Sequence, residues 1–307
     1  MNDLAWVLPL RTNEFTTFFK IFPLFASETF YLVTISIGCW CWKREFFKNL
    51  AMIVCLSTLF NTALKAFFQI PRPSIEHLVT ALDPLGFPSG DVQVVTTVWL
   101  TLSWYFKSIY LWIFSFLLIF FVGLSRVYLG VHSPLDVLGG ISAGFLIFLV
   151  YLYIQKSNTT FEINSLFIMF ALVFLGIYFL NSQDLNALHT SSIKSIGTLL
   201  GIMIGDKLYR KFNIMNDVVT NKSNIYLQII TAILGLSTLW LLRKGLSFSW
   251  QVEPHSLYIF ISYIIIGTHF IFIVPFSVHF LRTHRIERGN MLKRYPKSRF
   301  APKLDPN

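Results

Sequence analysis

Three short segments of this sequence carry residue types that could bind and transfer a phosphoryl group. They are KAFFQIPRP (65–73), PSGD (88–91) and SRVYLGVHSPLD (125–136). A phosphate needs several fixed positive donors around its oxygens, and Lys65, Arg72 and Arg126 can supply them. The three cations, together with a histidine and two aspartates, predict phosphoryl-transfer chemistry.

His132 is the candidate nucleophile, because it is the only histidine within these three segments. A histidine attacks through one ring nitrogen when a carboxylate holds the other, and Asp136 is spaced for that contact. Ser133, Pro134 and Asp136 also match the N-cap, N1 and N3 positions of a helix. Two plainer interpretations stand beside these: His132 as an interfacial histidine that closes a loop, and Asp136 as a helix cap alone. We expect Asp136 to serve both as cap and as partner.

The middle segment has the features of a helix N-terminus that accepts an anion. Ser89 fits an N-cap, and Gly90 lets another group approach the backbone closely. The first amides of such a helix, together with the helix dipole, attract negative charge. Upstream, Pro71 and Pro73 should end the preceding helix and hold Arg72 in a rigid extended stretch.

The composition predicts a chain that is embedded in a lipid bilayer. Of its 307 residues, 54% are hydrophobic and 13% are charged, whereas soluble domains carry roughly 25% charged residues. We therefore predict an all-α, polytopic membrane helix bundle with about nine transmembrane helices. The predicted spans cover about residues 27–42, 47–67, 90–106, 109–126, 136–154, 163–180, 191–206, 225–242 and 256–280.

These spans divide the chain into four parts. Residues 1–26 are predicted to form an interfacial N-terminal segment, and residues 27–155 hold all three motif segments in one membrane core. Residues 156–281 add further transmembrane helices, and residues 282–307 form a basic cytoplasmic tail. The third and seventh spans are short and carry polar residues, so we expect them to be buried in the bundle.

The distribution of lysine and arginine predicts the orientation in the membrane. One set of connections, with the C-terminal tail, holds 17 basic residues, and the other side holds 5. The richer side should be cytoplasmic, which predicts a multi-pass protein of the cell (inner) membrane. Anionic lipid and topology then explain the net charge of +10, and no nucleic acid partner is expected.

The three remaining basic residues, Lys65, Arg72 and Arg126, fall at span ends on the poorer side, where the orientation rule disfavours them. Taken singly, each could be a side chain that extends to the interface. Their occurrence beside the other motif residues favours a shared site, on the non-cytoplasmic side of the membrane. No Cys/His spacing typical of a metal site is present.

The three segments together resemble the signature of the type 2 phosphatidic acid phosphatase and vanadium haloperoxidase superfamily. The matching residues are Lys65 with Arg72 and Pro73, then Pro88-Ser89-Gly90, and last Ser125 and Arg126 with His132 and Asp136. The signature covers residues 65–136, and the similar helical core would extend from about 20 to 155. The resemblance implies hydrolysis of a phosphate ester through a phosphohistidine, without a metal or other cofactor.

By this resemblance, His132 accepts the phosphoryl group and Asp136 is its partner. The implied phosphate-binding residues are Lys65, Arg72, Ser89, Gly90 and Arg126. We therefore expect a phosphatase of a lipid phosphate or a lipid (isoprenyl) diphosphate, with a phosphorylated membrane lipid and the bilayer as partners. A lipid phosphotransferase to an acceptor alcohol, and a non-catalytic binder of phosphorylated head groups, are the alternatives.

The sequence departs from the family pattern at Asp91, where the family has a histidine that resembles a general acid. Asp91 could be the acid itself, or the substrate could be a diphosphate whose leaving group needs no strong acid. It could also be a base for an acceptor alcohol, or mark a site that only binds. His77 could replace the missing imidazole, although a surface-loop histidine is the plainer interpretation.

Overall fold

The structure is a computed structural model that describes residues 4–79, 83–156, 186–212, 214, 225–252 and 256–280. Every regular element within these ranges is helical, which confirms the predicted all-α class. The helices are α1 (Asn13–Phe19), α2 (Glu28–Cys41), α3 (Arg44–Phe68), α4 (Gly90–Phe106), α5 (Ile109–Tyr128), α6 (Pro134–Lys156), α7 (Asn186–Lys211), α8 (Ile225–Val252) and α9 (Ser256–Thr268). A π-helical turn, His269–Ile273, continues α9, and 3₁₀ turns cover Ala5–Leu10 and Phe22–Ala26.

Five of the described helices are long and apolar enough to cross a membrane. They are Arg44–Phe68, Ile109–Tyr128, Pro134–Lys156, Gln228–Leu246 and Ser256–Phe280. The bent pair Asn13–Ala26 and Glu28–Cys41, with an angle of 49°, would make a sixth. The predicted count of nine is not confirmed, and the span predicted at 163–180 lies outside the described residues.

The two spans predicted to be short and polar form helices that do not meet that criterion, because α4 is too short and α7, with 26 residues, is not apolar enough. Helix α4 has 17 residues, and its Gln93, Thr97 and Thr101 side chains are completely buried. Helix α7 likewise buries Ser192 and Ser195. These polar groups lie inside the bundle, as expected. The interfacial role of residues 1–26 and the four domain boundaries stay predictions.

Helices α3 to α6 bring four helix ends to one side of the bundle. Residues 69–89 connect α3 to α4, and residues 129–133 connect α5 to α6. The backbone N–H of Ser89, just before α4, donates to the Asp136 carbonyl near the start of α6 (2.9 Å). Gly140 and Gly144 allow this close packing, because a Cβ atom there would lie 2.6 Å from the Ser89 carbonyl and 2.5 Å from the Gln93 carbonyl. Small residues serve the same purpose in many membrane helix pairs.

A buried polar network crosses α3, α4 and α6 just below these helix ends. The Asn61 amide donates to the Pro88 carbonyl (3.2 Å) and to Gln93 Oε1 (2.9 Å). Gln93 Nε2 donates to the Ser57 carbonyl (2.7 Å), and Thr97 donates to the Gly144 carbonyl (3.2 Å). Because buried polar groups are costly unless they are paired, this network fixes the start of α4 relative to its neighbours.

Helices α7 to α9 attach to the core at both ends of α2 and α3. At the end opposite the motif residues, Asp206 of α7 forms ion pairs with Arg44 (3.0 Å) and Lys48 (3.2 Å) of α3. At the other end, Tyr263 of α9 donates to Glu28 of α2 (3.1 Å). The C-terminal helices therefore form one wall of the bundle that also contains α3.

Candidate active site

The predicted site residues come together at the side where α3 and α5 end and α4 and α6 begin. Lys65 lies in the last turn of α3, and Arg126 lies in the last turn of α5. Asp91 lies in the first turn of α4, and Asp136 in the first turn of α6. His132 is in the connection between α5 and α6.

Two stretches of the connection between α3 and α4 pair with each other through backbone hydrogen bonds and so position Arg72. The backbone N–H of Arg72 donates to the Pro84 carbonyl (3.1 Å), and that of Gly86 donates to the Ile70 carbonyl (2.8 Å). A Cβ atom on Gly86 would lie 2.9 Å from Asp136 Oδ2 and 3.0 Å from the Pro71 carbonyl. Glycine at this position therefore lets the loop approach the start of α6.

The His132 ring contacts Arg72 directly. Its Nε2 atom lies 3.1 Å from Arg72 Nη1, and Nη1 also donates to the Val131 carbonyl (2.8 Å). A guanidinium has donors only, so in this contact His132 Nε2 is the acceptor and carries the lone pair. The proton of the neutral ring is then on Nδ1, which faces Asp136.

Asp136 is held as a helix cap next to this ring. Its Oδ2 accepts from the Ser133 backbone N–H (2.7 Å), and Ser133 Oγ accepts from the Asp136 N–H (3.2 Å). This is the reciprocal capping box that the sequence predicted. The distance from Asp136 Oδ2 to His132 Nδ1 is 3.7 Å, which is too long for a hydrogen bond. The carboxylate therefore acts on the ring in this state through its charge.

His132 is only 3% exposed, and its surroundings keep the ring neutral. The pKa of His132 is lowered to about 4, mainly by burial and further by the charges of Arg72, Lys65 and Arg126, while Asp136 acts in the opposite direction. The lone pair on Nε2 is therefore available at neutral pH. A neutral histidine whose lone pair faces a cluster of cations is suited to attack an anionic centre.

Asp83 is a member of the site that sequence reasoning missed. Its carboxylate lies 2.9 Å from Lys65 Nζ and 3.3 Å from Arg72 Nη2, and its carbonyl accepts from Arg72 Nε (2.7 Å). Lys65 Nζ also donates to the Leu85 carbonyl (2.8 Å). The sequence signal that could have indicated Asp83 is the Asp83-Pro84 pair, which is typical of a turn and lies between the two basic motif segments. In the structure the Leu85 N–H donates to Asp83 Oδ1 within this turn (3.0 Å).

Asp91 forms an ion pair with Arg126, between Oδ2 and Nη2. The partner charge favours the ionised form of this carboxylate. Asp91 is 31% exposed and Arg126 is 15% exposed at the side chain, so the pair is accessible from the site. Each of the three motif cations thus has a carboxylate counter-ion within the described part of the chain.

Ser89 and Gly90 lie at the start of α4 as expected, but Ser89, the N-cap residue, does not cap the helix through its side chain. Ser89 Oγ and Arg126 Nε are buried and have no hydrogen-bond partner among the described residues. The hydrogen-bonding capacity of these two atoms is therefore not used by the described residues.

His77 does not take the place of the missing imidazole in the contacts that the structure gives. Its Nε2 atom lies 3.2 Å from the Pro73 carbonyl, within its own loop. This arrangement agrees with the plainer interpretation of a loop histidine.

The described residues form an all-helical membrane bundle that places cations, a neutral histidine and carboxylates together at one end. The family model described as PAP2 superfamily matches residues 46–160. The putative undecaprenyl-diphosphatase YbjG of Escherichia coli is 33% identical over 157 residues, which cover 47% of this chain and 72% of that protein. The chain belongs to the PAP2 superfamily.

Two further similarities extend the comparison. The dihydrosphingosine 1-phosphate phosphatase YSR3 of Saccharomyces cerevisiae is 24% identical over 225 residues, which cover 66% of this chain and 55% of the yeast protein. The chain thus spans about half the length of that relative. The crystal structure of Aquifex aeolicus LpxE is 30% identical with a TM-score of 0.44, covering 49% of this chain and 92% of that one.

The depressed pKa of His132 predicts a specific dependence of stability on pH. Its pKa of about 4 in the folded protein is below the unfolded value of about 6.5, so the unfolded state binds more protons between these values. The stabilisation is complete above pH 6.5 and is lost as the pH falls towards 4. His132→Gln cannot titrate, so it should lose less thermal stability than wild type between pH 7.5 and pH 4.5.

The measurement is the unfolding midpoint of both purified proteins at the two pH values. The difference between them should correspond to at most about 3 kcal/mol. Parallel loss of stability in the two proteins would show that His132 is not held neutral by its surroundings.

Proposed function

We propose that this protein is a membrane lipid phosphate phosphatase that uses His132 as the nucleophile. The observation that carries the proposal is the orientation of the ring, with the Nε2 lone pair at 3.1 Å from Arg72 and the protonated Nδ1 facing Asp136. The names of two relatives, the yeast dihydrosphingosine 1-phosphate phosphatase and the putative undecaprenyl-diphosphatase of Escherichia coli, support a lipid substrate.

In the first step, His132 Nε2 attacks phosphorus, and the bond from phosphorus to the leaving oxygen breaks. The ring becomes positively charged, and the Asp136 carboxylate stabilises that charge from the Nδ1 side. Lys65, Arg72 and Arg126 neutralise the charge on the transferring oxygens, which is the main requirement of phosphoryl transfer. In the second step, water attacks the phosphohistidine, inorganic phosphate leaves, and the neutral ring is restored.

Asp91 determines which leaving groups react well in this scheme. Its ion pair with Arg126 favours the carboxylate, which has no proton to donate to a leaving alkoxide. A diphosphate needs less help, because its leaving group is a phosphate ester. We therefore infer a preference for lipid diphosphates over monophosphates. The same ionised carboxylate could act as a base for an acceptor alcohol, which keeps lipid phosphotransfer as the second candidate.

The substrate would reach the site from the membrane. The bias of 17 basic residues against 5 favours a site on the non-cytoplasmic face of the cell membrane, with a cytoplasmic C-terminal tail. That tail lies outside the described residues. A phosphorylated head group at the interface could then enter the cation cluster while its hydrocarbon part stays in the apolar phase.

Replacement of the nucleophile is the first test of this proposal. His132→Ala should lower phosphate release from lipid diphosphates by roughly 10³-fold or more, because the covalent route is removed. His77→Ala, in a loop near the site, is the matched control and should retain activity. Brief reaction with ³²P-labelled substrate should leave acid-labile label on wild type and on the control, but not on His132→Ala.

Full turnover by the His132→Ala protein would refute the covalent mechanism. Transfer of the label to an added alcohol, instead of its release as phosphate, would select the phosphotransferase. Binding without turnover by wild type would leave only a head-group binder.

Restoring an imidazole at position 91 is the second test. Asp91→His should speed cleavage of a lipid monophosphate more than cleavage of the matching diphosphate, because general acid catalysis contributes roughly 10²–10⁴-fold where a leaving group needs a proton. The measurement is the ratio of initial rates on the two substrates in wild type and variant across pH. A ratio that does not change would show that Asp91 does not set the leaving-group preference.

A further inference from the structure

A cavity of about 400 Å³ lies inside the bundle and reaches Gly90 and the two carboxylates that pair with the motif cations. Asp83, Gly90 and Asp91 line one part of it, and the rest lies between α2 and α3 on one side and α7 and α9 on the other. Because Asp91 contacts Arg126 directly, the cavity begins where the cations are. Helices α7 and α9, which lie beyond the matched residues 46–160, form one of its walls.

The cavity is long enough for a hydrocarbon chain. On α3 its lining runs from Thr62 to Ala51, and on α7 it runs from Ser191 to Ile202. Each stretch rises about 16 Å at 1.5 Å per residue. This is about half of the roughly 30 Å hydrocarbon core of a bilayer, which is the depth reached by the chain of one lipid.

Its lining changes from polar to apolar with distance from the cations. The near end contains Asn61 and Glu28, and Lys194 lies over the Tyr263 ring at 5.5 Å. The far end is lined by aliphatic and aromatic side chains, among them Ala51, Ile35, Ile202, Leu239 and Phe270. This gradient matches an amphiphile with a charged head and one apolar tail.

We propose that this cavity binds the hydrocarbon chain of the substrate and selects lipid phosphates or diphosphates with a single chain. The inference rests on the proposed function, because it places the head group at Arg126 and His132. A water-sized group in a liquid takes roughly 30 Å³, so 400 Å³ accommodates on the order of a dozen methylene-sized groups. That volume matches one chain of this length, so a second chain of the same lipid would have to stay outside the cavity. Helices α7 and α9 would thus be specificity elements.

A matched pair of substitutions tests the cavity. Thr58 lines it one helical turn below Thr62 and donates to the Val54 carbonyl (3.0 Å). Thr34 donates to the Phe30 carbonyl in the same way (2.7 Å), but its side chain is exposed and lies outside the cavity. Thr58→Trp should block the cavity about 6 Å from its polar end, whereas Thr34→Trp adds the same bulk elsewhere.

The first readout is binding, which does not require turnover. Purified proteins would be titrated with n-alkylphosphonates from butyl to dodecyl, below their critical micelle concentrations. In wild type and Thr34→Trp the affinity should rise roughly fourfold for each methylene that enters the cavity. In Thr58→Trp the rise should stop at the short chains, so that dodecyl binds roughly tenfold or more weakly than in the control.

The second readout is hydrolysis of single-chain and two-chain lipid phosphates and diphosphates of equal chain length. Wild type should prefer the single-chain substrates, and Thr58→Trp should lose that preference. Chain-length dependence of binding in wild type without hydrolysis would overturn the proposed function and leave the cavity inference standing. Identical binding profiles for Thr58→Trp and Thr34→Trp, or a preference for two-chain lipids, would overturn the cavity inference.

A milder variant covers the case in which Thr58→Trp does not fold. Val54 lines the same cavity one helical turn deeper than Thr58, and Val54→Phe adds less side-chain volume than Thr58→Trp. It should leave binding of the short phosphonates unchanged and weaken binding of the longest ones. Equal effects on all chain lengths would contradict the inference.

Discussion

The site depends on the pairing of three cations with carboxylates at one end of the helix bundle. Lys65 is 3% exposed, and a buried charge is tolerated only when it is paired and hydrogen-bonded. Asp83 supplies the pairing for Lys65 and Arg72, and Asp91 supplies it for Arg126. The loop that carries Asp83 therefore has to fold onto the end of α3, and this in turn brings Arg72 to His132.

In the proposed function, the same pairing would also give the site its selectivity. A phosphate that binds Arg126 has to compete with Asp91, and only a group with enough negative charge can do so. A diphosphate carries more charge than a monophosphate, and its leaving group needs no proton from Asp91. On this proposal, the ion pair of Asp91 with Arg126 would link head-group recognition to leaving-group preference. Next to this ion pair, the Asn61 amide holds the start of α4 through hydrogen bonds to the Pro88 carbonyl and Gln93 Oε1.

Much of the site follows from sequence spacing. The three motif segments meet because successive antiparallel helices place alternate ends on one side, and the Ser133–Asp136 capping box was predictable from residue types alone. Asp83 was not predictable as a partner of Lys65, because the two residues are 18 positions apart across a turn whose path no periodicity encodes. Ser89 is a second example. Its position as the N-cap of α4 was predictable, but the absence of a capping hydrogen bond from its side chain was not.

The predicted count of nine membrane spans is not confirmed, and helix α4 shows one physical reason. Helix α4 has 17 residues with buried threonines and Gln93, so its hydropathy and length fall short of those of a helix that faces lipid. Its surroundings inside the bundle satisfy those polar groups. Sequence also gave no indication of the cavity, because its walls come from helices that are distant in the chain, such as α3 and α7.

The most direct test of the account is the affinity of the free protein for orthovanadate, an oxyanion of phosphate geometry. Asp91→Asn removes the negative charge that competes for Arg126 but keeps the size of the side chain. Glu76→Gln, an exposed residue of the loop between α3 and α4, is the matched control. The account predicts that Asp91→Asn binds vanadate roughly tenfold tighter than wild type and the control, as measured by calorimetry at moderate salt. Unchanged or weaker binding by Asp91→Asn would contradict the claim that this carboxylate occupies the anion site in the free protein.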